Sequence, residues 1–157
     1  MHACVGIDVS KATLDVAVYG SSEVRAFANS PTGFRRLAAW LLPQCPRQVV
    51  LEATGGYEQA ALDALFAVGL PMVRANPRQV RDFAKALGQL AKTDRLDARV
   101  LAQLAATISL SPYQPACDWQ RRLAQWHQRR GHLVQMIGSE RQRLERRRTG
   151  RGLPGLG

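Results

Sequence analysis

The chain is poor in the residues that staple, anchor or coordinate. Cysteine occurs only three times in 157 residues, at Cys4, Cys45 and Cys117. An odd, scattered set excludes a disulfide frame and a thiolate metal site, and it suits a reducing compartment. The three histidines, His2, His127 and His132, also lack ligand spacing. No apolar run reaches the ~18 residues of a membrane span. The opening "MHACVGIDVS" has no basic start before an apolar run, so it does not read as a signal peptide. Neither G-x-S-x-G nor a P-loop is present. Acids are outnumbered, 12 against 22 Lys and Arg, for a net charge of +10.

What is present is a globular composition, 46% hydrophobic, long enough for one domain and a small appendage. The charge is uneven. Residues 1–117 hold 12 basic and 9 acidic side chains, whereas 118–157 hold 10 arginines and 3 acids. Arginine at that density favours phosphate, hence a nucleic acid more than a small metabolite. A solvated basic helix face is the plainer alternative.

Strand periodicity appears in 3–9, in 13–19 and in 23–28, which predicts an antiparallel meander with Lys11 and Ala12 at its first turn. "NSPTGF" then caps a helix to about Leu42. Strands over 48–53 and 71–75 alternate with helices over about 57–68 and from Asn76–Pro77 to about Leu87, which implies parallel additions to the sheet. Residues 88–93 read as a loop before a further helix. "LSPYQPAC" (110–117) reads as a linker, and 118–148 as one long Arg-rich helix. There, Leu123, Trp126, Leu133, Ile137 and Leu144 fall at alternating three- and four-residue steps once Arg130 and Glu140 fill the gaps. Gly131 and Gly138 weaken that pattern. Pairing of two helices and packing on the protein's own surface both remain open.

The acids are oddly placed. Asp8 lies inside the apolar run "VGIDV", and Glu52 ends "VVLE". "KTDRLDARVLAQLA" (92–105) carries Asp94 and Asp97 three apart, on one side of a helix. Lone carboxylates are costly to bury. If the two strands are neighbours and the helix crosses them, all four meet, and a hard divalent cation is the natural counterion. Each also has a plainer role. Asp94 suits a helix cap, Asp97 an ion pair with Lys92 or Arg99, and Glu52 a turn cap. Asp15 reads as solvent-facing, and Asp63 and Asp82 as outer-face helix residues. Gly55-Gly56 allows close approach of backbone or phosphate, or merely a turn.

"GIDVSKATLDVAV" (6–18), "LEATGGYE" (51–58), "ANPRQVRDFAKALG" (75–88) and "KTDRLDARVLAQLA" (92–105) resemble, in order and over roughly 3–148, the DEDD transposases of bacterial insertion sequences, the group that includes the Piv-type DNA invertases. The resemblance implies an α/β, ribonuclease-H-like (RuvC-like) mixed sheet with flanking helices, followed by a long C-terminal helix, a possible coiled coil. It casts Asp8, Glu52, Asp94 and Asp97 as catalytic acids binding Mg²⁺ or Mn²⁺. It implies a DNA transposase or site-specific recombinase that cuts and rejoins DNA element ends and targets. It also implies a structured guide RNA, a homo-oligomer (dimer or tetramer), and a bacterial cytoplasmic, nucleoid-associated setting without membrane. Lys11, Lys92, Arg95, Arg121, Arg122, Arg129, Arg130, Arg141, Arg143, Arg146, Arg147 and Arg148 become phosphate contacts.

The expected organisation is a RuvC-like domain over 1–111, an Arg-rich helical segment over 112–148, and a Gly-rich linker over 149–157 leading into a further domain with a serine nucleophile. Two alternatives stand beside it. One is a non-catalytic nucleic-acid-binding or assembly module. The other is a fragment of an actin-like kinase, whose first phosphate motif "GIDVSKATLDVAV" also resembles.

Overall fold

The computed structural model describes residues 3–88 and 98–149, without the side chains of 118, 121, 124 and 146–149. It divides into two compact units, Met1–Gln114 and Pro115–Gly157.

The first unit is built on a mixed five-stranded sheet. The strands β1 (Cys4–Val9), β2 (Thr13–Val18), β3 (Val24–Ala28), β4 (Gln48–Glu52) and β5 (Met72–Ala75) lie in the order β3-β2-β1-β4-β5. The first three form the expected antiparallel meander. β4 joins β1 in parallel, and β5 joins β4 in parallel. Helices α1 (Pro31–Leu41), α2 (Gln59–Ala67), α3 (Pro77–Ala86) and α4 (Ala98–Thr107) connect or cover the strands. This is the ribonuclease-H-like arrangement.

Local chemistry explains the boundaries. Ser30 caps α1, accepting from the Gly33 amide at 3.3 Å, and Pro31 opens the helix. Asn76 caps α3, accepting from the Arg78 amide at 2.9 Å, with Pro77 next. Helix α2 starts two residues later than the sequence suggests, because the Glu58 side chain turns back onto the preceding loop.

Alternation along the strands feeds two cores. Val5, Ile7, Leu14, Val16, Val49, Leu51 and Met72 pack with α1 and α2 on one face. Cys4, Val50, Val73 and Ala75 pack with Val80, Leu101 and Leu104 on the other. A Cβ on Gly6 would meet the backbone of Ala98 and Ala102, so α4 lies directly on β1. Ala17 meets Ala98 and Ala102 in the same layer. At the far end of α4, the buried Gln48 side chain donates to the carbonyls of Ala105 and, at 2.7 Å, Ile108. Helix α4 therefore runs antiparallel to β1 and β4, with its N-terminus toward their C-terminal ends.

The stretch read as a linker begins later than expected. Tyr113 is buried, its amide donates to the Met72 carbonyl at 2.7 Å, and its hydroxyl donates to Asp63 Oδ1 at 2.7 Å. Asp63 is thus a half-buried structural acceptor on α2, whereas Asp82 is exposed, 3.6 Å from Lys85.

Among the described residues, the second unit holds one long helix, α5 (Asp118–Thr149), continuous through Gly131 and Gly138. No described helix is long and apolar enough to cross a membrane.

Candidate active site

Asp8 is the fifth residue of β1, and Glu52 is the last of β4. Ile7 pairs with Leu51 in the parallel register, so Asp8 and Glu52 follow as the next residues of neighbouring strands. Both then point to the face that carries Gly6 and Val50, the face covered by α4. Neither is fully buried. Burial pushes the Glu52 carboxyl above the ordinary carboxylate range; Arg81 on α3 opposes this, and the charge of Asp8 adds to it. Two acids from separate parts of the chain thus sit within electrostatic reach of each other, at the C-terminal ends of the two central strands. Crevices at such strand ends are the usual ligand sites of open α/β sheets.

Asp15 corrects the sequence reading. It pairs directly with Asp8 across the antiparallel ladder, so it shares the face of Asp8 and is only half exposed. The expectation of a solvent-facing side chain assumed that one face of the meander is wet. Here α4 covers the face that carries Ala17 and Asp15.

The loop after β4 is fixed by a residue that the sequence did not single out. Glu58 is buried, and its Oε2 accepts from the amides of Thr54 at 3.1 Å and Gly56 at 2.9 Å. Burial alone would raise its pKa. The backbone amides of Glu58 itself, Thr54 and Gly56, with Arg74 nearby, outweigh burial and hold it below the usual range. Gly55 and Gly56 have φ of 72° and 108°, so the tight return needs glycine. Asn29 completes the rim. Its Nδ2 donates to the Ser10 carbonyl at 2.8 Å and the Tyr57 carbonyl at 3.2 Å, tying the β1–β2 turn to the β4–α2 loop. No pattern along the chain marks Glu58, whose burial comes from the loop folding back onto it. Nothing in the sequence marks Arg81 or Asn29, whose roles depend on contacts between distant segments.

The other candidates divide. Asp94, Asp97, Lys92 and Arg95 lie outside the described residues. Lys11 is exposed at the tip of the β1–β2 turn. Arg122, Arg129, Arg130, Arg141 and Arg143 are exposed on α5, while the side chains of Arg121, Arg146, Arg147 and Arg148 lie outside the described set. Among the described residues, no three His, Cys, Asp or Glu side chains gather closely enough to hold a metal ion. Asp8 and Glu52 nevertheless offer two hard oxygen donors whose mutual repulsion a divalent cation would relieve.

Residues 5–147 match the family model of the DEDD transposases of the IS110 group, described as a transposase. The pilin gene-inverting proteins of Moraxella lacunata and Moraxella bovis are each 28% identical to the chain over 147 residues, covering 90% of it. The chain spans 46% of the length of each of these relatives. With a match over nearly its whole length, on a ribonuclease-H-like sheet that brings Asp8 beside Glu52, the chain belongs to this transposase family.

Proposed function

We propose that the chain is the metal-binding half of a DNA transposase or site-specific recombinase of an insertion sequence. The observation that carries the reading is the adjacency of Asp8 and Glu52 at the ends of neighbouring central strands. Asp97 is bonded directly to Ala98, the first described residue of α4, whose backbone lies over Gly6, two residues before Asp8. That proximity supports Asp97 as a further donor, and Asp94 rests on the family resemblance alone.

In this reading Asp8, Glu52, Asp94 and Asp97 hold Mg²⁺ or Mn²⁺. The ion supplies Lewis acidity toward a phosphodiester oxygen and the attacking group. The chain's own residues do the rest. Arg81 offsets the negative charge near Glu52. Glu58 and Asn29 hold the two loops that frame the strand ends. Lys11 and the arginines of α5 grip phosphates of DNA and of a structured guide RNA. Two or more copies assemble to bring DNA ends together, and cutting and rejoining is completed with a further domain of the longer protein.

Calorimetric titration of Mn²⁺ into the chain, with Asp8→Asn and Glu52→Gln alongside, tests the site without needing recombination. The expected result is binding by the native chain and a loss of about tenfold or more in each variant. Equal affinity in all three overturns the catalytic reading and leaves a nucleic-acid-binding or assembly module.

A further inference from the structure

Helix α3 comes from a stretch, "ANPRQVRDFAKALG" (75–88), that the acid pair leaves largely unused. It departs from the sheet beside the acids. Ala75, the last residue of β5, pairs with Glu52 across the parallel register, and α3 begins two residues later at Pro77. Its inner face is apolar. Val80 and Ala84 are buried, and Phe83 packs against the same core as Val80.

The outer face carries a stripe of cations. Arg78, Arg81 and Lys85 are all exposed. At about 100° per residue they fall within about 60° of one another around the helix axis. Arg81 stands within electrostatic reach of Glu52, yet among the described residues neither it nor Arg78 has an ion pair or a side-chain hydrogen bond. Lys85 meets Asp82 at 3.6 Å, an exposed contact of small value. The arrangement works against the helix itself. Arg81 has a like charge three residues before it and another four after it, and such neighbours repel. Arg78 stands in the first turn, where the helix dipole favours acids, and that turn holds none. Cations placed at a cost to their own helix, next to a pair of acids, suit a polyanion that passes both. Arg74 does not extend the stripe. Alternation along β5 turns it to the other face of the sheet from Val73 and Ala75, where it meets Gln59 of α2 at 3.4 Å.

From Arg78 to Lys85 the helix rises about 10 Å, which matches about three nucleotide steps along one strand of a duplex. We propose that Arg78, Arg81 and Lys85 form a phosphate track for the DNA strand that enters the Asp8–Glu52 site. This rests on the cutting site proposed above and adds the path by which the strand reaches it. Contacts of this kind position a strand without reading its bases, so the track holds strands of different sequence alike.

Fluorescence anisotropy of a labelled DNA duplex, titrated with the chain at salt concentrations from about 50 to 200 mM, tests the proposal. One variant carries Arg78→Gln, Arg81→Gln and Lys85→Gln. A control carries Arg35→Gln, Arg36→Gln and Arg47→Gln, which removes the same charge from exposed positions on α1 and just ahead of β4. Glutamine is a good helix former, so α3 keeps its shape. The slope of log affinity against log salt should shrink by about 2–3 in the track variant, and by less than about 1 in the control. At the lowest salt the track variant should bind about tenfold or more weakly than native. Its Mn²⁺ affinity should stay within about threefold of native, because the track supplies no metal donor. The same series with an RNA hairpin separates the two kinds of strand.

Equal losses in the track and control variants, or no loss in either, overturn the track. The cutting site then still stands if Asp8→Asn and Glu52→Gln weaken Mn²⁺ binding. A loss confined to RNA overturns the assignment to DNA. A track variant that loses DNA, in a protein whose Asp8→Asn and Glu52→Gln forms bind Mn²⁺ like native, overturns the cutting site and with it the destination of the strand.

Discussion

The two units spend their apolar residues in opposite ways. In the first, Val5, Ile7, Leu37, Leu51 and Leu104 are wholly buried between sheet and helices. In α5, Trp119, Leu123, Trp126, Leu133 and Ile137 are all more than two-fifths exposed. Charge follows the same division. The first unit brings acids from separate segments to the strand ends, while α5 carries most of the arginine excess, and its described arginines are exposed. A region that buries its own apolar surface can preorganise a site. A region that leaves it open depends on something else to cover it, and its arginines stay available to phosphates.

The comparison is sharpest where the first unit tolerates least. Gly6→Ala drives a methyl group into the backbone of Ala98 and Ala102, where no side chain can give way. It should cost about 3 kcal/mol or more, or prevent folding, as read by chemical denaturation. A loss below about 1 kcal/mol would mean that α4 does not sit on β1 as described.

Next comes Glu58→Ala, which removes the acceptor of two part-buried loop hydrogen bonds and should cost about 1–2 kcal/mol. It also predicts a pH dependence. The native pKa of Glu58 lies below its ordinary value of 4.5, so the folded state holds the proton less tightly than the unfolded chain. The stabilisation is therefore complete above the unfolded pKa and is lost as pH falls through the native one. Glu58→Gln should flatten that part of the pH–stability curve, and a variant as acid-sensitive as native would exclude Glu58 as the cause.

The smallest expected effect lies on α5. Trp126→Ala removes a larger apolar side chain than any in the first core, yet it should change the denaturation midpoint of the first unit by the equivalent of about 0.5 kcal/mol or less. Leu37→Ala, at a fully buried position, should cost about 2–5 kcal/mol in the same measurement. Comparable losses from both would erase the distinction between the units.

Much of the architecture was legible from local chemistry. The order of strands and helices, the Ser30 and Asn76 caps and the parallel addition of β4 and β5 all follow from periodicity and capping. Asp8 and Glu52 stood out because an acid inside an apolar strand is expensive. Asp15 is not legible in this way, because alternation along one strand says which residues share a face but not what covers that face. Glu58 is not legible either, because its burial comes from a loop folding back rather than from any pattern along the chain. Asp94 and Asp97 stand out in the sequence by their spacing alone, since they lie outside the described residues.

By itself the sequence determined where the strands and helices run, that the arginines concentrate after residue 118, and which acids are costly where they stand. These are properties of near neighbours along the chain, and periodicity and composition record them. Only the tertiary structure decided that Asp8 lies beside Glu52 and opposite Asp15, that α4 rests on Gly6, and that Asn29 and Glu58 frame the strand ends. Those relations join residues dozens of positions apart. They are set by strand register and by the close approach of one backbone to another, which no local pattern encodes.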